Sequence, residues 1–160
     1  MDRVRGFEFV APEHQETAEY LFDKSFLKLP ERATAHSAGY DFVAPYAASI
    51  EPGEKHLYWT DVKAYMRPGE LLILNVRSSG GIKKNLQLSN TTGWVDADYY
   101  GNPDNDGNIG ISLRNIGSET IFIQAGEKIA QGAFIPFLVA DTGNVDQARL
   151  GGIGSTDREG

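Results

Sequence analysis

The 160-residue sequence predicts an all-β fold, a barrel or a jelly roll. Three observations carry that prediction. Apolar runs are short, and none approaches the ~18 residues of a membrane-spanning helix. Gly, Pro, Asn and Asp clusters separate the runs at turn-like intervals. Apolar residues mostly alternate with polar ones, and little of the chain reads as helix.

Length and charge bound the function. A chain of this size is one domain and buries roughly 70% of its extended surface, enough for a core. The net charge of −7 makes non-specific DNA or RNA binding a poor fit. A phosphate-bearing small molecule remains compatible, since Arg77, Lys83, Lys84, Arg114, Lys128 and Arg149 supply local positive charge. Lys84 and Lys128 read best as solvated surface charges. The absence of cysteine excludes disulfides and thiolate metal sites and fits a reducing compartment. The opening MDRVRGFEFV lacks an apolar signal core, so a cytoplasmic protein without a membrane anchor is expected.

Taken in order, Arg5 to Val10 reads as a strand with Phe7 and Phe9 on one face. Residues 11–28 are polar at first, then carry Tyr20, Leu21, Phe22, Phe26 and Leu27. A short helix after Pro12 is predicted, because proline suits a first helical turn. SAGYDFVAP is a turn into a strand, with Asp41 facing away from Tyr40 and Phe42. EPGEK is a turn, and in LYWTDV the residues Leu57, Trp59 and Asp61 share one face. LLILNV is a strongly apolar strand that empties into RSSGGIKK. Glycines there let the backbone approach a ligand, and Arg77 offers bidentate charge, as a phosphate site needs.

The stretch LSNTTGWVDADYYGN reads as two short strands and a turn. Alternation puts Asp96 and Asp98 on one face, bracketed by Gly93 and Gly101. A carboxylate on a rigid hairpin suits a general base, which must sit within hydrogen-bond reach of its water. The residues alone do not choose between the two acids. GNPDNDGN reads as an exposed hairpin tip, because the ligand spacing of a calcium loop is absent. Ile109 to Arg114 and Thr120 to Gln124 are further strands. In GEKIAQGAFIPF, Ile129, Gln131 and Ala133 share a face. From Asp141 onward the chain is polar and glycine-rich, which predicts a mobile tail.

Five of these segments occur in order from Leu29 to Thr156: LPERATAHSAGYDFVAP, VRSSGGIKK, LSNTTGWVDADYYGN, GEKIAQGAFIPF and RLGGIGST. Together they resemble the motifs of the trimeric deoxyuridine triphosphatase (dUTPase) family. The resemblance implies a distorted jelly roll, or β-clip, assembled as a homotrimer. Residues 1–140 would form the β domain and 141–160 a flexible C-terminal arm. It implies hydrolysis of dUTP to dUMP and pyrophosphate, which keeps uracil out of DNA and supplies dUMP for thymidylate synthesis.

The resemblance also implies roles. Asp96 would be the base that activates water for attack on the α-phosphate. Asn90, Gly93 and neighbouring backbone would read uracil, Tyr99 would lie against the deoxyribose, and Ile153 would cap the base. Arg77, Ser78, Ser79 and Gly80 would contact the α- and β-phosphates, with Gln131 on the phosphates or the arm. Arg149, Ser155 and Thr156 would close over the γ-phosphate, and Asp41 would order water around Mg2+. Each site would be shared between subunits, with hairpin and arm from different chains.

Four departures from the family pattern stand out. Ser79 replaces a common glycine, Ile153 an aromatic, and Asp157 a glycine, while the spacing after Arg149 is one residue short, making Arg158 a competing phosphate contact. Two alternatives accompany this reading: a dCTP deaminase-related enzyme, and a nucleotide-responsive regulatory protein of the same fold. The deaminase branch needs a glutamate where this chain has Ile111, Ser112 and Leu113.

Overall fold

The computed structural model describes residues 2–19, 24–154 and 156. Tyr20, Leu21, Phe22, Ser155, Asp157 and Arg158 lie outside the described residues. The described chain is built from twelve strands, with helix confined to single short turns. This confirms the all-β prediction.

The largest sheet has five antiparallel strands in the order β2 (Glu31–Arg32), β3 (Tyr40–Val43), β12 (Lys128–Pro136), β7 (Glu70–Asn75) and β9 (Gly93–Asp96). A second sheet orders β5 (Lys55–Trp59), β10 (Gly110–Asn115) and β8 (Leu86–Leu88). Two pairs complete the body: β1 (Gly6–Phe9) with β6 (Val62–Tyr65), and β4 (Ala48–Ile50) with β11 (Ile121–Ile123). The inward residues form one core that includes Phe42, Ile50, Tyr58, Leu72, Ile111, Leu113 and Ile123. Burying each such Ile or Leu contributes about 2 kcal/mol. Phe7 packs on Tyr40, Phe42 and Phe134, fixing the first strand to the large sheet.

Local conformation departs from the sequence expectation at three places. The helix after Pro12 is a single 3-10 turn, Pro12–His14. The strand expected through Asp61 breaks there, because Asp61 has φ 54° and is fully buried. Its carboxylate accepts the Glu16 amide (2.8 Å), the Thr17 amide (3.1 Å), the Thr17 hydroxyl and Asn108 Nδ2 (2.9 Å). In β12 a register shift between Lys128 and Ala130 turns both Ile129 and Ala130 inward, as a bulge does.

The segment 101–108 is only in part an exposed tip: Gly101, Pro103 and Asp104 are exposed, and the rest is not. Asn102 and Asn108 are buried, and Asp106 accepts Lys63 Nζ (2.7 Å) and the Ala11 amide (2.8 Å). Short polar side chains here satisfy backbone amides from distant segments, so a polar composition is compatible with burial. Gly107, at φ +88°, has no room for a Cβ, which would meet the Tyr99 carbonyl at 2.8 Å.

His56 gives the fold a pH dependence. Its ring centroid lies 4.5 Å from that of Tyr58, and its Nε2 finds no hydrogen-bond partner among the described residues. Burial lowers the imidazole pKa from its ordinary 6.5. The unfolded chain therefore takes up the proton first as pH falls. This contribution is complete above pH 6.5 and is lost as pH falls toward the depressed folded value. Glu8, held low by the Tyr100 hydroxyl, and Glu70, held low by Arg5, lose their contributions only in more acid solution. Thermal midpoints should decline from about pH 7.5 to about pH 5, and His56→Phe should flatten that limb. An unchanged slope would remove His56 from the account.

Candidate active site

The fold assembles the implicated residues into two groups. The first lies at the β9 end of the large sheet. Gly93 sits directly against Leu74, where an added Cβ would meet the Leu74 Cβ at 3.0 Å. Asp96 ends β9, and the chain turns into a 3-10 turn, Ala97–Tyr99. The second strand expected in this stretch is β9, and the alternation expected to continue through Asp98 and Tyr99 stops at Asp96. Asp96 and Asp98 still converge, because Arg149 bridges them: its Nη2 donates to Asp96 Oδ2 at 2.6 Å and its Nε to Asp98 Oδ1 at 2.8 Å. The guanidinium also lies 5.7 Å from the Tyr99 ring centroid.

Tyr99 is buried, and its hydroxyl donates to the Asn108 carbonyl at 2.8 Å while accepting Asn105 Nδ2 at 2.9 Å. Burial pushes its hydroxyl pKa up, keeping the ring neutral. Asn90, Gly93, Asp96, Tyr99, Arg149, Ile153 and Thr156 line a single cavity of about 270 Å³. Ile153 stands 71% exposed at its edge, a poor apolar cap as it lies here. The arm thus reaches the hairpin of its own chain, where the resemblance implied a different chain.

The second group lies across β3, β12 and β7. Register places Asp41 beside Gln131 and Gln131 beside Asn75, so the three share one face. Asp41 is buried and paired with Arg77 Nε at 3.0 Å and Lys128 Nζ at 2.8 Å. Asp41, Arg77, Gln131, Asn75 and Ser37 line a cavity of about 350 Å³. Ser78 and Ser79 are exposed beside it, and a π-helical turn over Ser79–Lys83 includes the half-buried Gly80. None of those three lines the cavity.

Lys128, expected as a solvated surface charge, faces Asp41. Only the pairing of β12 with β3 brings them together, and no local pattern reports that. Lys84 matches its expectation, pairing with Glu127 at the surface. Asn75, Asp104 and Asn105 were also missed. Among the described residues, no group of three or more His, Cys, Asp or Glu residues could hold a metal. Nor is any helix there long and apolar enough to cross a membrane.

Comparison with known proteins identifies the family. The family model described as dUTPase matches residues 26–156. A deoxyuridine 5'-triphosphate nucleotidohydrolase of Lactococcus lactis subsp. lactis is 44% identical over 157 residues, covering 96% of this chain and 98% of that protein. One from Tolumonas auensis is 36% identical over 138 residues, covering 81% and 87%. The crystal structure of dUTPase from Streptococcus mutans superposes with a TM-score of 0.71 at 42% identity, covering 86% of this chain and 99% of that one. A dUTPase from phage phi11 of S. aureus, described with a structural Mg(II) ion, shares the fold at TM-score 0.68 and 22% identity, covering 91% and 98%.

Proposed function

This chain belongs to the dUTPase family, and we propose that it works as a deoxyuridine triphosphate nucleotidohydrolase whose base is Asp96 and whose sites are shared between copies of the chain. The reaction hydrolyses dUTP to dUMP and pyrophosphate. The observation that carries the site assignment is the cavity uniting Asn90, Gly93, Asp96 and Tyr99. Backbone groups around Asn90 and Gly93 would bond uracil O2, N3–H and O4. Cytosine, whose donor pattern is reversed at position four, fails there. Thymine's methyl group strikes the slot wall. Tyr99, held by Asn105 and Asn108, leaves no room for a 2′-hydroxyl.

Asp96 takes a proton from water as that water attacks the α-phosphorus, and the P–O bond to pyrophosphate breaks. For this Asp96 must part from Arg149, which then meets the γ-phosphate with Ser155 and Thr156, as the 141–160 arm closes and excludes water. Arg77, Ser78, Ser79, Gly80 and Gln131 would hold the α- and β-phosphates.

Magnesium fits as the companion of the triphosphate. It favours oxygen ligands, keeps several waters and is commonly carried by substrate phosphates. Asp41, with both oxygens already facing cations, would hold it only through water. Bound there, the ion would neutralise charge on the phosphates.

The sharing rests on strand geometry. Leu74 lines the hairpin cavity, whereas its neighbours Ile73 and Asn75 line the other. Consecutive strand residues project to opposite faces, so one chain presents its uracil slot and phosphate cradle in different directions. A nucleotide spanning both needs two copies. A homotrimer closes such a head-to-tail arrangement. Register also sets Ala133, Ile73 and the 68% exposed Trp94 in one apolar row that a second copy would cover. The lack of cysteine suits action in the reducing cytoplasm.

Chain mixing tests this reading. Asp96→Asn and Arg77→Ala chains should each be nearly inactive on dUTP alone. Refolded together in equal amounts, they should regain roughly a quarter of wild-type turnover, because random pairing leaves that share of sites intact. No recovery would place slot and cradle in one chain.

A further inference from the structure

Tyr99 is held at both ends by one short segment, 101–108. Its hydroxyl accepts Asn105 Nδ2 at 2.9 Å and donates to the Asn108 carbonyl at 2.8 Å. Its own carbonyl accepts Asn102 Nδ2 at 2.7 Å. Asn105 Oδ1 accepts Asn102 Nδ2 at 2.8 Å and the Gly107 amide at 3.1 Å. Donors from within the segment thus claim the oxygen of Asn105, so its nitrogen must face the tyrosine.

The segment is itself fastened to the body. Asn108 is fully buried; its Oδ1 accepts the Asp61 amide at 2.9 Å, and its Nδ2 donates to the His14 carbonyl at 3.1 Å. Lys63 Nζ and the Ala11 amide fix Asp106. The ring of Tyr99 cannot slide without breaking bonds that reach into the core.

We propose that Asn105 is a positioning residue for sugar specificity: through the Tyr99 hydroxyl it holds the ring where that ring excludes a ribose 2′-hydroxyl. This rests on reading the cavity of Asn90, Gly93, Asp96 and Tyr99 as the nucleotide slot. A binding group must stay within about 0.5 Å of its productive place, and supporting hydrogen bonds secure it there. A ring that has lost one yields to the extra oxygen of a ribonucleotide.

Comparing kcat/KM for dUTP and for UTP reads this role. Asn105→Ala should lower the preference for dUTP about fivefold, the worth of one hydrogen bond. A merely structural role would lower turnover of both substrates alike and leave their ratio in place. Tyr99→Phe deletes the same bond from the other side and leaves the segment whole, so it guards against a misfolded Asn105→Ala. It should lower the preference at least as much, and in its background Asn105→Ala should add no further loss. An unchanged ratio in either single variant, or losses that multiply in the double variant, would overturn the proposal. In nucleotide-free protein carrying 13C-labelled tyrosine, the Tyr99 Cζ resonance should move in Asn105→Ala, because it senses the hydroxyl's hydrogen bonds. Wild-type protein that turns over UTP as readily as dUTP, with that resonance still moved by Asn105→Ala, would instead overturn the reading of the cavity and leave the brace standing.

Discussion

Asp96→Asn should lower kcat for dUTP by about a thousandfold, within the usual contribution of a positioned general base. The carboxylate ends a strand that is hydrogen-bonded to β7, so its place is set by the sheet, and amide nitrogen cannot take the proton from water. Asp98 shares only the Arg149 bridge and follows within the 3-10 turn. Asp98→Asn should cost less than about tenfold, the loss of one partner for Arg149. Steady-state turnover of the two variants separates them. Equal losses would mean that the pair acts as a unit.

Asp61→Ala should destabilise the fold by about 4 kcal/mol and lower the melting midpoint by about 10 °C. Four donors lose their acceptor in a fully buried place, and alanine is strained at φ 54°. Asp61→Asn tolerates that backbone but turns a donor toward amides, so it should recover only part of the loss. Calorimetry on both variants decides the matter. A shift under about 2 °C for alanine would mean that water replaces the carboxylate at little cost.

Sequence periodicity located most strands because their register is written in each strand's own residues, as in LLILNV or Ile109 to Arg114. It failed where a side chain bonds a distant backbone. Asp61 reads locally as a strand residue on the face of Leu57 and Trp59, yet its partners Glu16 and Thr17 come from a segment without a detectable pattern. GNPDNDGN reads as solvent-exposed because asparagine and aspartate are polar. The burial of its Asn108 and Asp106 depends on the Asp61 amide, the His14 carbonyl and the Ala11 amide, far along the chain. Lys128 is unreadable for the same reason.

The candidate site was legible mainly through five motifs taken together. Alternation pairs Asp96 with Asp98, but Arg149 and not a continuous strand unites them. The Asp41, Arg77 and Gln131 group follows from strand pairing, which no single motif contains.

The placement of Leu74 and Ile73 on opposite faces of one strand has a genetic meaning. If slot and cradle of a chain serve different nucleotides, mutations in the two are not alternatives for one lost function. Alleles broken at Asp96 and at Arg77 would complement one another within a single locus. A cell carrying both would survive a deficiency that neither allele alone could relieve.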